Sequence, residues 1–126
     1  MAERREYLAA SGELHSRLHK LLAGASWMGE YGNPDDPKDW EFISKYSPYQ
    51  NVVKDRKYPK VLFSTSTRDD RVHPGHARKM YAKMKEQGHD VMYFEYLEGG
   101  HGSGSLPAQM AYTWALIYTM LWNELG

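Results

Sequence analysis

Lys60-Val61-Leu62-Phe63-Ser64-Thr65-Ser66, followed closely by Asp69-Asp70-Arg71-Val72, decides the fold class of this chain. The first stretch reads as a β-strand with a nearly continuous apolar centre, which suits a sheet covered on both faces. A second such run, Asp90 to Leu97 with Val91-Met92-Tyr93-Phe94 at its centre, precedes Gly99-Gly100-His101-Gly102. Between them Ala77, Met80, Tyr81 and Met84 recur at helical spacing. Pro74 suits the start of that helix and Gly88 its end. A last helix is predicted from Pro107 to Leu125, with Met110, Trp114, Ile117, Tyr118, Leu121 and Leu125 on one face. Strand, helix, strand, helix at these lengths implies parallel strands joined by a right-handed crossover. The fold class is therefore α/β. Two strands alone leave sheet edges unpaired, so the expected object is the end of a larger sheet.

The region before Pro59 is less regular. Residues 3 to 22 read as a helix with a loose apolar stripe through Tyr7, Leu8, Leu14, Leu18, Leu21 and Leu22, ended by Gly24. Residues 23 to 60 are rich in aromatics and breakers, with a short helix predicted over Lys38 to Lys45 and ordered loop elsewhere. Pro37 and Asp39 suit the first turn of that helix. Large aromatics such as Trp27, Tyr31, Trp40 and Tyr46 normally seek burial, which argues against disorder.

The bulk numbers bound the function. The 126 residues are one ordinary domain by length. Sixteen basic side chains balance sixteen acidic ones, so no nucleic-acid or membrane-surface partner is indicated. There is no cysteine, hence no disulfide and no thiolate metal site. No apolar stretch approaches the ~20 residues of a membrane span. The charged start, Met1-Ala2-Glu3-Arg4-Arg5-Glu6, has no apolar core behind it, so a cytoplasmic location is the default expectation. A periplasmic or secreted parent that lost its leader reads the same.

The chemistry lies in the two loops. An acid just past one strand and a histidine just past the next is the late half of a Ser…Asp…His triad in α/β-hydrolase order. No Gly-x-Ser-x-Gly elbow precedes Asp69. The base and its orienting acid are present without a visible nucleophile. Bland readings stand beside this one. Asp69-Asp70 also suits a turn or helix cap, His101 a plain loop histidine, and Arg71 a salt bridge to Asp70 or Asp35. His15 and His19 sit at i, i+4 on the predicted first helix, which is metal-ligand spacing. No third ligand accompanies them, and a solvated face is the expectation. His73 and His76 bracket a helix start, where capping or surface placement is expected, and His89 reads as a turn residue. Ser103 and Ser105 lie in a Gly-Ser loop without an elbow.

At these residues the sequence resembles the catalytic domain of the prolyl oligopeptidase family of serine peptidases. The resemblance is carried by Ala25-Ser26-Trp27-Met28-Gly29-Glu30-Tyr31-Gly32, by Lys45-Tyr46-Ser47-Pro48-Tyr49, and by the Asp69 and His101 loops. It implies an α/β-hydrolase fold capped elsewhere by a β-propeller, and cleavage of short peptides, often after proline. It implies Asp69 as triad acid and His101 as general base. It further implies that Arg71 bonds a substrate carbonyl, and that Trp27, Tyr31 and Val72 line a proline pocket. No metal or organic cofactor is implied. On this reading residues 1–19 are a divergent N-terminal helical segment, and residues 20–126 are the C-terminal part of the catalytic domain. The expected fold is thus a partial α/β-hydrolase sheet: its last two parallel strands and flanking helices. The expected substrate is a short peptide, and the expected partner a complementary N-terminal hydrolase segment. The chain alone is expected to be inactive. Two other function classes stay open: a non-catalytic fragment or interaction module, and an α/β-hydrolase esterase.

Overall fold

The computed structural model describes residues 19–101 and 106–126. The helix expected over residues 3 to 22 therefore lies almost wholly outside the described residues, as do His15, Ser103 and Ser105. From Leu22 the chain is more helical than expected. A 3-10 helix, Leu22–Trp27, runs through Gly24 rather than ending there, and passes directly into α1, Met28–Tyr31. Short helical pieces of this kind cost little to form when flanking aromatics pack, and their periodicity is too brief to read from a sequence.

The predicted short helix is α2, Pro37–Tyr46. Asp36 caps it, accepting the Lys38 N–H at 2.9 Å, and Pro37 occupies the first turn. Ile43 is its buried residue. A single turn, α3 (Pro48–Asn51), follows. Asn51 Nδ2 ties it back to α2, donating to the carbonyls of Ser44 and Ser47 at 2.7 and 2.8 Å.

Strand β1 spans Val61–Ser66, helix α4 Gly75–Glu86, strand β2 Val91–Tyr96 and helix α5 Pro107–Leu125. The strands are parallel, in register from Val61 opposite Val91 to Ser66 opposite Tyr96. This register puts the carboxyl ends of both strands level, so the loops after Ser66 and after Tyr96 leave the sheet side by side. The chain is thus an α/β structure built on one β–α–β unit. The core gathers Val52, Val61, Phe63, Met80 and Met84. Tyr81 on α4 bridges it to β2, its ring 6.5 Å from Phe63 and 5.1 Å from Tyr93.

The two strands differ. Five of the six β1 residues are buried, whereas every β2 residue is only partly covered. The apolar stripe expected on α5 is covered in part: Ile117 is buried and Leu121 half-buried, but Met110, Trp114, Tyr118 and Leu125 are exposed. Tyr112 and Trp122 on its other faces are exposed too. A helix apolar on so many sides is normally an interior one.

Candidate active site

Backbone conformation builds the acid side of the site. After Ser66 the chain turns sharply, the Asp69 N–H donating to the Ser66 carbonyl at 3.2 Å. The Asp69 carboxylate then folds over its own loop. Its Oδ1 accepts the N–H groups of Arg71 and Val72 at 2.9 and 2.7 Å. Asp69 thus acts as a turn former and keeps its second oxygen clear of these amides. The turn reading is met by Oδ1, and Oδ2 is the oxygen nearer His101.

The base side leaves β2 through Gly99, whose φ of +86° lies in the region that side chains disfavour. Gly100 is the point of close approach: a Cβ there would stand 3.2 Å from Asp70 Oδ1. His101 follows, with Nδ1 2.9 Å from Asp69 Oδ2 and 3.2 Å from Oδ1. An ionised carboxylate can only accept, so Nδ1 carries the hydrogen and donates. In a neutral imidazole that leaves Nε2 as the acceptor. The carboxylate is well covered while the imidazole side chain is 44% exposed. Such a pair can hold a proton on the exposed ring and stabilise the charge that results. Asp70 is exposed and makes no ion pair with Arg71 among the described residues.

Arg71 and Val72 reach the site through their backbones. The Arg71 guanidinium is exposed and makes no ion pair among the described residues; Asp35 is instead held by His19 and Lys20, at 2.8 and 3.0 Å. Trp27 and Tyr31 sit at the ends of the 3-10 helix and of α1, both half-buried. Tyr31 lines a small pocket with Met28, Gly32, Pro34 and Ile43. The other described histidines take structural places. His73 Nδ1 accepts the Gly75 N–H at 2.9 Å at the start of α4. His76 is buried rather than superficial. His89 bonds the Val53 carbonyl through Nε2 at 3.1 Å. His19 is largely buried against Asp35, not on a solvated face. No cluster of three metal-ligating side chains occurs among the described residues.

Sequence reading missed a second polar network just behind the loop. Glu95 on β2 accepts from Arg78 Nε at 3.0 Å and from its Nη2, from Thr67 Oγ1 at 2.6 Å, and from the Tyr93 hydroxyl. Arg78, foremost, holds the Glu95 carboxyl down to about 2. Burial, foremost, pushes the Tyr93 phenol up to about 12. The available signal was an acid inside an otherwise apolar strand, where an unpaired charge would be costly. Nearby, burial and then the Asp69 charge raise the Tyr96 phenol above its ordinary value.

Comparison with known proteins returns one family. The model of the prolyl oligopeptidase family matches residues 13–126. An uncharacterised peptidase of Sinorhizobium fredii is 44% identical over 106 residues, covering 84% of this chain and 15% of that protein. Prolyl oligopeptidase A of Galerina marginata is 37% identical over 97 residues, covering 74% of this chain and 13% of that protein. Among solved structures, a post-proline cleaving enzyme from Rickettsia typhi superposes with a TM-score of 0.84 at 37% identity, covering 87% of this chain and 16% of that one. The chain spans 13–16% of the length of these three proteins.

Proposed function

Because the chain belongs to the prolyl oligopeptidase family of peptidases, we propose that it supplies the acid–base half of a serine peptidase site and is inactive alone. The nucleophile and its oxyanion amide come from a complementary N-terminal hydrolase segment. The substrate is a short peptide, cut often after proline. The observation that carries this reading is the Asp69–His101 hydrogen bond at 2.9 Å, with Asp69 held by two amides of its own loop.

In the joined site His101 Nε2 takes the hydroxyl proton as the serine oxygen bonds to the scissile carbonyl carbon. Asp69 keeps Nδ1–H in place and stabilises the imidazolium. The C–N bond then breaks, His101 returns the proton to the departing amine, and an acyl-enzyme remains. Water repeats the sequence and releases the acid. Arg71 offers its fork of donors to a substrate carbonyl. Trp27, Tyr31 and Val72 line the proline pocket, the indole stacking on the pyrrolidine ring. No step calls for a metal or an organic cofactor.

The test combines the chain with a separately produced segment bearing the Gly-x-Ser-x-Gly elbow. Chromogenic proline amides and simple esters are then compared. Cleavage of the amide is expected, and Trp27→Ala should raise KM by about tenfold with kcat little changed. Hydrolysis confined to esters would make the site an esterase. Hydrolysis of neither would remove the catalytic reading and leave an interaction module.

A further inference from the structure

His101 poses a problem that packing does not solve. Its ring is 44% exposed, yet it meets Asp69 at hydrogen-bond distance. Neighbouring side chains do not hold a ring so open, so its place depends on the backbone that carries it. Errors of about 1 Å in such a constellation cost on the order of 10²-fold in rate.

Ser66, the last residue of β1, grips that backbone. Its side chain is 1% exposed. The hydroxyl donates to the Gly99 carbonyl at 2.7 Å and accepts the Arg68 N–H at 3.2 Å. The Ser66 carbonyl accepts the Asp69 N–H. Gly99 precedes His101 by two residues and is the position where the chain turns through positive φ. Arg68 immediately precedes Asp69. One buried hydroxyl therefore bonds the acid loop and the base loop at once. The Thr67–Glu95 bond joins the start of the acid loop to β2 as well, but Glu95 lies inside the strand and does not reach the His101 loop.

We propose that Ser66 is a positioning residue: its hydroxyl clasps the Asp69 loop to the His101 loop and sets the separation of the two side chains. The proposal rests on the reading of Asp69 and His101 as a functional pair. Among the described residues, no other hydrogen bond joins Gly99 to the end of β1. Without the hydroxyl the strand itself would stay, because its ladder with β2 uses backbone groups only.

The experiment reads the tautomer of His101 by nitrogen-15 NMR of the full chain, well above the pH where imidazole is charged. Wild type, Ser66→Ala, Ser66→Cys and Asp69→Asn are compared, with amide spectra as the check on the fold. Wild type should hold the hydrogen on Nδ1, and Asp69→Asn should release it toward Nε2, the form imidazole prefers in water. Ser66→Ala should lower the Nδ1–H to Nε2–H ratio by roughly three- to tenfold, the worth of a hydrogen bond, with strand amides unmoved. Ser66→Cys, which keeps the volume and weakens the donor, should move the ratio the same way and carries the test if the alanine variant unfolds. A wild-type ratio in a folded Ser66→Ala or Ser66→Cys chain, with Asp69→Asn shifted, would overturn the clasp and leave the pair. Identical ratios in wild type and Asp69→Asn would overturn the pair, and the clasp with it.

Discussion

Asp69 divides its two oxygens between two tasks. Oδ1 receives the Arg71 and Val72 amides, and Oδ2 receives His101 at the shorter of its two distances. An asparagine in its place could keep the first task, because an amide oxygen still accepts. It could not do the second with its other arm, because an amide nitrogen donates and would face Nδ1–H. Asp69→Asn in the joined enzyme should therefore fold normally and lose kcat by on the order of 10⁴-fold, with KM little changed. Steady-state kinetics beside a thermal melt separates the two effects. A comparable loss of stability would mean that Asp69 acts only as a turn former.

At the scale of elements, β1, α4 and β2 are fastened by charge as well as by the apolar core. Glu95 draws Arg78 of α4, Thr67 of the acid loop and Tyr93 of its own strand onto one carboxylate. Its folded pKa, about 2, lies below the ordinary carboxyl value of 4.5. The folded state thus favours the ionised form. The stabilisation is complete above the ordinary value and fades as pH falls through the folded one. Thermal melts between these limits should show the wild-type midpoint dropping with acid, and Glu95→Gln should flatten that dependence while lowering the midpoint near neutrality. An unchanged slope would place the acid sensitivity elsewhere. The strands and long helices were legible because Val61-Leu62-Phe63 and Val91 to Phe94 are apolar runs of strand length, and because Pro74, Gly88 and Pro107 punctuate the helices. The meeting of Asp69 with His101 followed from parallel strands ending level. Ser66, Thr67 and Arg78 were not legible: each is an ordinary polar residue by type, and its partner lies 17 to 33 positions away in sequence. Apart from α2, the short helices between Leu22 and Asn51 escaped for the opposite reason, being too brief to show a period.

Among the described residues, a broad apolar face is open to solvent. Trp114, Tyr118 and Trp122 on α5 are about half to three-quarters exposed, and β2 is half-covered along its length. Covering such surface is worth about 25 cal/mol per Å² of apolar area, which favours association with a complementary segment. The relatives are between five and six times longer on the shares given above. Membership in a peptidase family, an acid–histidine pair and an open apolar face are what the proposed account rests on, that of half an active site completed by another segment. The most direct measurement is turnover of a proline-peptide amide by the chain alone, by the chain with an elbow-bearing N-terminal segment, and by that mixture carrying His101→Ala. The account predicts background, turnover and background again. Turnover by the chain alone that His101→Ala abolishes would contradict it, because a nucleophile would then be present within these 126 residues.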